Sequence, residues 1–412
     1  MIRKPFYGWV VCAIGTLLLF ITMGTVSNGF SIYLPYIIQQ NGFSHAQGSF
    51  LVTLRCLVSF GAMLVIGLYY RKVGLRLGTF LAALCASGAF FLYSLSHTYF
   101  SFCLGAALSG VSYGLGSMVP VSILINNWFN KRRTFALGIC GCGSGLATIV
   151  LPPVTELMIS HLSVSRAFWV EAVCILIATL LVLVFLRSAP SDMGLVPYGG
   201  TAAVEEQTTR PREEGRSLTR SVWLMMGGIA LLMGALANPG LLHLPVLYTT
   251  EGMDSQLVAL LISLLGVMLV IGKLFFGTVT DRIGGFASSL LFSCVLCVAH
   301  ILLTLAFLQW LPLDVAAMLI LGLGYPITTI GFSVWANDLV SPDQFPRVVQ
   351  RMQVIYAAGA LVFASFPGIL ADWLGSYVPT YFLFSVLLVI VPFLIFFSYR
   401  FQNQARSQSG EK

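Results

Sequence analysis

Apolar runs long enough to cross a lipid bilayer recur twelve times along the chain, separated by short polar gaps. Read with a window of about 20 residues, they fall near 7–34, 47–70, 77–96, 99–127, 134–161, 166–187, 221–248, 256–280, 285–308, 312–336, 348–373 and 377–399. Each predicts a membrane-spanning helix, because only a helix or a closed barrel satisfies every backbone polar group where no water is present. One gap differs from the rest. Arg187 to Arg220 holds Pro190, Pro197, Gly199, Gly200, Glu205, Glu206, Glu213 and Glu214, a composition that cannot bury a core. It divides the chain six spans and six. The pattern predicts an all-α membrane protein of two pseudo-symmetric six-helix bundles, 1–188 and 221–412, joined by a linker at 189–220 and ending in a short tail.

Charge orients these helices. Nineteen of the 22 Lys and Arg residues lie at the chain ends, in alternate gaps or at the span ends that border those gaps, and only Arg55, Arg166 and Lys273 depart from the rule. The basic gaps hold Arg71, Lys72 and Arg76, then Lys131, Arg132 and Arg133, then the linker, then Arg282, then Arg347 and Arg351. By the positive-inside rule they face the cytoplasm together with both termini. The first run is long enough to span and lacks a small-residue cleavage site. The absence of a targeting peptide suits a plasma membrane of prokaryotic inner-membrane type.

Composition removes several function classes. With 58% hydrophobic and 9% charged residues and a mean hydropathy of +0.90, a chain of this length could not stay dispersed in water. The net charge of +7 reads as topology and as attraction to anionic lipid; no basic stripe with interleaved aromatics points to nucleic acid. Nine cysteines are scattered through apolar segments as small buried hydrophobes. Cys140-Gly-Cys142 and Cys294-x-x-Cys297 with His300 lack the further ligands that a metal shell needs. There is no phosphate loop and no nucleophile elbow in a strand-to-helix setting. Neither an enzyme nor a bound cofactor is expected, so a gradient must supply the driving force.

A weak repeat relates the halves. Gly67-Leu-Tyr-Tyr-Arg71-Lys72-Val-Gly74 follows the second span and Gly277-Thr-Val-Thr-Asp281-Arg282-Ile-Gly284 the eighth. Two six-span halves with this motif at both places resemble the major facilitator superfamily. In that family the motif is a charged cytoplasmic turn that latches helix ends while its glycines let them pack closely. Gly277, Asp281 and Arg282 match it well; in the first copy Arg71, beside Lys72, stands where the aspartate normally lies. Pro5-Phe6-Tyr7-Gly8-Trp9-Val10 and Trp128-Phe129-Asn130-Lys131-Arg132-Arg133, running on to Gly141, Gly143, Ser144 and Gly145, look like the monocarboxylate transporter family and its microbial relatives, the oxalate:formate antiporters. Gly368-Ile-Leu-Ala-Asp372-Trp-Leu-Gly375-Ser376-Tyr377 resembles the end of span 11 in the same relatives. The physics of the longest string is independent of the family: interfacial aromatics, a basic cluster, then small residues that allow close helix contact.

A cation at bilayer depth costs at least about 2.5 kcal/mol, so it usually faces a wet cavity or a partner. Lys273 lies four residues before Gly277 and Arg55 twelve before Gly67, roughly 6 and 18 Å deeper along their helices. Lys273 occupies the position where the resemblance implies an arginine that binds the substrate carboxylate. Lysine keeps the charge and loses the planar fork; its alternative is to snorkel to the surface. Arg55 either holds a second anionic group or pairs with Glu156. The aspartate one turn before the span 8 arginine in some relatives is Leu269 here, span 1 has no lysine, and span 11 holds only Arg351 near its start. His243 in span 7 can titrate near neutrality or simply be hydrogen-bonded in place. Asn28, Tyr33 and Tyr113 are further substrate-contact candidates on cavity-type spans. Glu171 and Asp372, near outer helix ends, read as solvated. Pro120, Pro152, Pro153, Pro245, Pro326 and Pro367 mark helices that can bend.

The expected function is alternating-access secondary transport of a small organic anion of the lactate, pyruvate or formate kind, by symport or exchange. A monomer would work with a coupled proton or counter-anion, and Leu269 and Phe276 would border the site. Dicarboxylate exchange, drug export and a non-transporting receptor are the alternatives.

Overall fold

The structure is a computed structural model that describes residues 6–130, 133–199, 218–340 and 344–408. The four linker glutamates and the motif residues Lys131 and Arg132 lie outside the described residues.

Among these residues, twelve helices are long and apolar enough to cross a membrane. They are α1 (Gly8–Asn41), α2 (His45–Val73), α3 (Leu75–Ser94), α4 (Tyr99–Trp128), α5 (Ala136–His161), α6 (Val164–Phe185), α7 (Arg220–Leu242), α8 (Ser255–Ile283), α9 (Gly285–Leu308), α10 (Leu311–Leu339), α11 (Arg347–Leu374) and α12 (Val378–Gln402). The twelve spans agree with the sequence expectation; two ends do not. α1 continues through Pro35 to Asn41, so its apolar run underestimates it. α7 stops at Leu242, and after a break at His243 a short helix runs Leu244–Thr250. Pro245 has no N–H to give the preceding turn, which explains the interruption. No strand occurs among the described residues; Phe129 and Tyr198 form one isolated bridge. Large apolar side chains such as Leu64, Leu274 and Val362 are 69–73% exposed, the surface of a protein whose solvent is lipid.

The chain divides into two compact units, Met1–Phe43 with Leu54–Pro211, and Ser44–Thr53 with Arg212–Lys412. The first turns of α2 thus group with the second unit. In lipid no hydrophobic drive pulls helices together, so contact depends on small residues that let backbones approach. Within the first unit a Cβ on Gly143 would strike the Thr16 carbonyl, and one on Gly110 or Gly114 would come within 2.6 Å of the Arg55 or Ser59 carbonyl. Within the second unit a Cβ on Gly272 would strike the Gly322 carbonyl, and one on Gly234 the Tyr356 carbonyl.

The internal repeat is longer than the charged turn suggested. Gly24 and Gly234, Asn28 and Asn238, Pro35 and Pro245, and Gly74 and Gly284 are each 210 residues apart. The two turns share one backbone shape, with φ 81° and ψ 161° at Gly74 and φ 82° and ψ 162° at Gly284, a region open to glycine alone. The expected role of Gly277 needs correction. A Cβ on Gly67 or Gly277 meets nothing within 4 Å, whereas one on Gly78 or Gly285 would strike Tyr70 or Asp338. Close packing at these ends belongs to the residues after the turn.

Candidate functional site

In the first unit the polar groups converge on α1, where Phe20–Gly29 winds as a π-helix. Such widened turns are frequent at functional sites. Phe30 donates its N–H five residues back, to the Thr25 carbonyl. Where spacing returns to four, one carbonyl is passed over, and Arg55 Nη1 donates to that of Val26 at 2.9 Å. The guanidinium also lies 6.0 Å from the Phe30 ring centre, within cation–π reach. Arg55 is only 4% exposed. Its charge is met by a backbone carbonyl and an aromatic face, and the expected pairing with Glu156 is replaced, since that carboxylate accepts the Tyr36 hydroxyl at 2.6 Å.

Asn28 lies two residues beyond Val26, half-buried, and its amide donates to Thr148 Oγ1 at 2.6 Å. It keeps a partly open surface, as does the half-buried Tyr113. Tyr33 does not. It is fully buried and stacked on Phe168 with centroids 3.8 Å apart, among Phe90 and Tyr93. Burial in this aromatic cluster removes it from the candidates that a solute can touch. Glu171 is likewise not solvated: it is buried and accepts the Thr155 hydroxyl at 2.5 Å.

In the second unit Lys273 lies on a half-buried stripe of α8 with Ser263, Val270, Gly277 and Thr280. This stripe runs between an exposed apolar face, which carries Ile271 and Leu274, and a buried one, which carries Leu269, Gly272 and Phe276. Lys273 stands ten residues from Ile283, the end of α8, or about 15 Å. Phe276 does not line a vestibule; it packs edge-on against Phe292 of α9 at 4.8 Å.

His243 is fully buried and held from both sides of its ring. Nδ1 lies 2.9 Å from the Pro239 carbonyl and Nε2 2.9 Å from Ser49 Oγ. A carbonyl can only accept, so Nδ1 carries the proton and Nε2 accepts from the serine. The Tyr377 ring stacks on the imidazole, and its phenol meets His45 Nδ1 at 3.2 Å. Burial pushes that phenol above its usual range, keeping it protonated. Asp372 is exposed but far from idle. It accepts the N–H groups of His45 and Ala46, both at 2.8 Å, and so satisfies two orphan donors at the start of α2. Gly368 makes this approach feasible, since a Cβ there would strike Ser49 and the His45 carbonyl.

At the opposite, basic ends, Arg71, Lys72, Asp281 and Arg282 are all exposed. The side chains of Asp281 and Arg282 form no hydrogen bond or ion pair among the described residues. The anchoring carboxylate is Asp338 of α10, which accepts the Tyr399 hydroxyl at 2.8 Å beside Gly285 at the start of α9. Sequence reasoning missed Asp338 because nothing local marks it. It also missed half-buried Asn238 of α7, although the 210-residue offset from Asn28 would have found it. No group of three or more His, Cys, Asp or Glu side chains able to hold a metal occurs among the described residues. Cys140 lies against Cys12, with the sulfurs 3.5 Å apart.

The model of the Major Facilitator Superfamily matches residues 13–350. The chain belongs to this superfamily. It is therefore an integral multi-pass membrane transporter, and not an enzyme, that binds a small-molecule substrate. Relatives within the superfamily include monocarboxylate transporter 12 of Homo sapiens, 26% identical over 82% of this chain and 69% of that protein. They also include the MFS-type transporter pynF of Aspergillus niger, 26% identical over 68% of this chain and 62% of that one. Among solved structures, a D-xylose-proton symporter aligns with a TM-score of 0.72 at 14% identity over 95% of this chain and 97% of its own. A bacterial homolog of the human lysosomal transporter Spinster, inward-facing and occupied, aligns with a TM-score of 0.71 at 13% identity, over 97% of this chain and 98% of its own. These last two share the superfamily fold.

Proposed function

We propose that the protein is a secondary carrier of small organic monoanions, of the monocarboxylate kind, working by alternating access as a monomer with a coupled proton or counter-anion. It sits in a plasma membrane with both termini in the cytoplasm. The observation that carries this reading is Lys273, a cation on the half-buried stripe of α8, placed about 15 Å from the helix end. An ammonium at that depth is retained where it meets an anion or water. Likeness to monocarboxylate transporter 12 supports the same reading. The Arg55 guanidinium is bound to the Val26 carbonyl and faces the Phe30 ring inside the first unit, so this reading assigns the cargo's carboxylate to Lys273 and favours a monocarboxylate over a dicarboxylate. Asn28 and Tyr113, half-buried on α1 and α4, add contacts to the cargo, and the turns at Arg71–Lys72 and Asp281–Arg282 contribute to gating.

Uptake of labelled lactate, pyruvate and formate into proteoliposomes, with and without a pH gradient, tests the proposal. Loss of a charge-assisted contact predicts that Lys273→Ala lowers uptake at low substrate concentration by about 10- to 100-fold. Unchanged anion uptake by that variant would overturn it.

A further inference from the structure

We propose that the second unit carries a separate binding cleft for a bulky monocarboxylate, formed by Arg351, Gln350, Trp223, Val354 and Ile355 at the basic ends of α7 and α11. The inference extends the anion-carrier reading by naming a larger class of acid and a second place that recognises it.

The cleft follows from how the two helices cross. α7 and α11 touch backbone to backbone where Gly234 meets the Tyr356 carbonyl and Gly359 meets the Leu231 carbonyl. Toward the basic ends they part. A Cβ on Gly227 would find only Ile355 Cδ1, at an ordinary 3.6 Å. One turn further, beside Trp223, the gap opens into a cavity of about 540 Å³ lined by the five residues. From the crossing, Trp223 lies eleven residues along α7 and Arg351 eight along α11, about 16 and 12 Å respectively.

The chemistry of the lining selects an anion with an apolar body. The Arg351 guanidinium lies 5.8 Å from the Trp223 ring centre, so the indole face orients it, and no carboxylate among the described residues takes its N–H edges, the fork that a bound acid would meet. Gln350 supplies a neutral amide, and Val354 and Ile355 supply apolar contact. The cleft is open along one side, and its volume of about 540 Å³ exceeds what lactate or formate fills. The matching class is an arylalkyl or branched carboxylate, its acid group on Arg351 and its body against Trp223, Val354 and Ile355.

The test uses the full-length protein in nanodiscs of zwitterionic lipid, titrated with 3-phenylpropionate and followed by tryptophan fluorescence and equilibrium dialysis. Saturable binding is expected, weakened about 10- to 100-fold in Arg351→Gln, partly restored in Arg351→Lys, and with its fluorescence response lost in Trp223→Phe. Equal affinity of the wild type and Arg351→Gln would overturn the assignment, as would abolition of binding by phosphatidylglycerol in the disc, which identifies a lipid headgroup as the occupant. Lys273→Ala separates this inference from the carrier proposal. Phenylpropionate binding that survives in that variant supports a distinct cleft, whatever the transport assay reports; binding lost with Lys273 places the acid elsewhere and sinks the cleft.

Discussion

At the scale of single residues, a charge inside a membrane protein is informative only once its partners are known. Arg55 and Lys273 look alike in sequence, each a lone cation in an apolar run. Arg55 is buried against the Val26 carbonyl released by the π-helical stretch of α1, while Lys273 keeps a partly open surface. Arg55→Met is therefore expected to lower stability by about 1–3 kcal/mol, because it leaves a buried carbonyl without a donor. KM for the transported anion should stay within about twofold, whereas removing a substrate contact would raise it about tenfold or more. Thermal unfolding and transport kinetics on the same variant decide between a structural and a binding cation. His243 follows the same logic. Its position on a cavity-type span drew attention to it, but both ring nitrogens are already engaged inside the second unit.

At the scale of elements, glycines that look equivalent in the charged turns do different work. Gly284 holds φ at 82°, and Gly277 sits in an ordinary helical turn with open space around it. Gly284→Ala should cost about 1–3 kcal/mol through strain in the left-handed region, and Gly74→Ala, with φ 81°, should match it. Gly277→Ala should be neutral or slightly stabilising, since alanine favours helix. Thermal shifts of the three purified variants, read from intrinsic fluorescence, check the contrast; a Gly277→Ala variant as unstable as Gly284→Ala would restore the close-packing role that the motif suggested. The string that runs from Trp128 to Gly145 illustrates the opposite case. Its small residues were legible as helix contacts, and Gly143 does meet the Thr16 carbonyl.

At the scale of the whole molecule, the alternation of basic gaps predicts topology. In a background free of native cysteines, a cysteine placed at Thr98 or Ser163 should react with an impermeant thiol reagent added to intact cells, and one placed at Arg71 or Arg282 should react only after permeabilisation. Labelling of Arg71→Cys from outside would invert the orientation and the argument from charge. The sequence by itself determined the twelve spans, their bounds to within a few residues except at α1 and α7, and the repeat, because the bilayer imposes one length and one polarity on every crossing segment and hydropathy records both. It could not decide which polar residues remain open. Tyr33 and Glu171 were absorbed into the first unit, Asp372 was drawn to the start of α2, and Asp338 emerged as an anchor, because partners hundreds of residues apart or on neighbouring helices meet only when the helices pack. Side-chain availability is a property of packing, and packing is what the tertiary structure alone supplies.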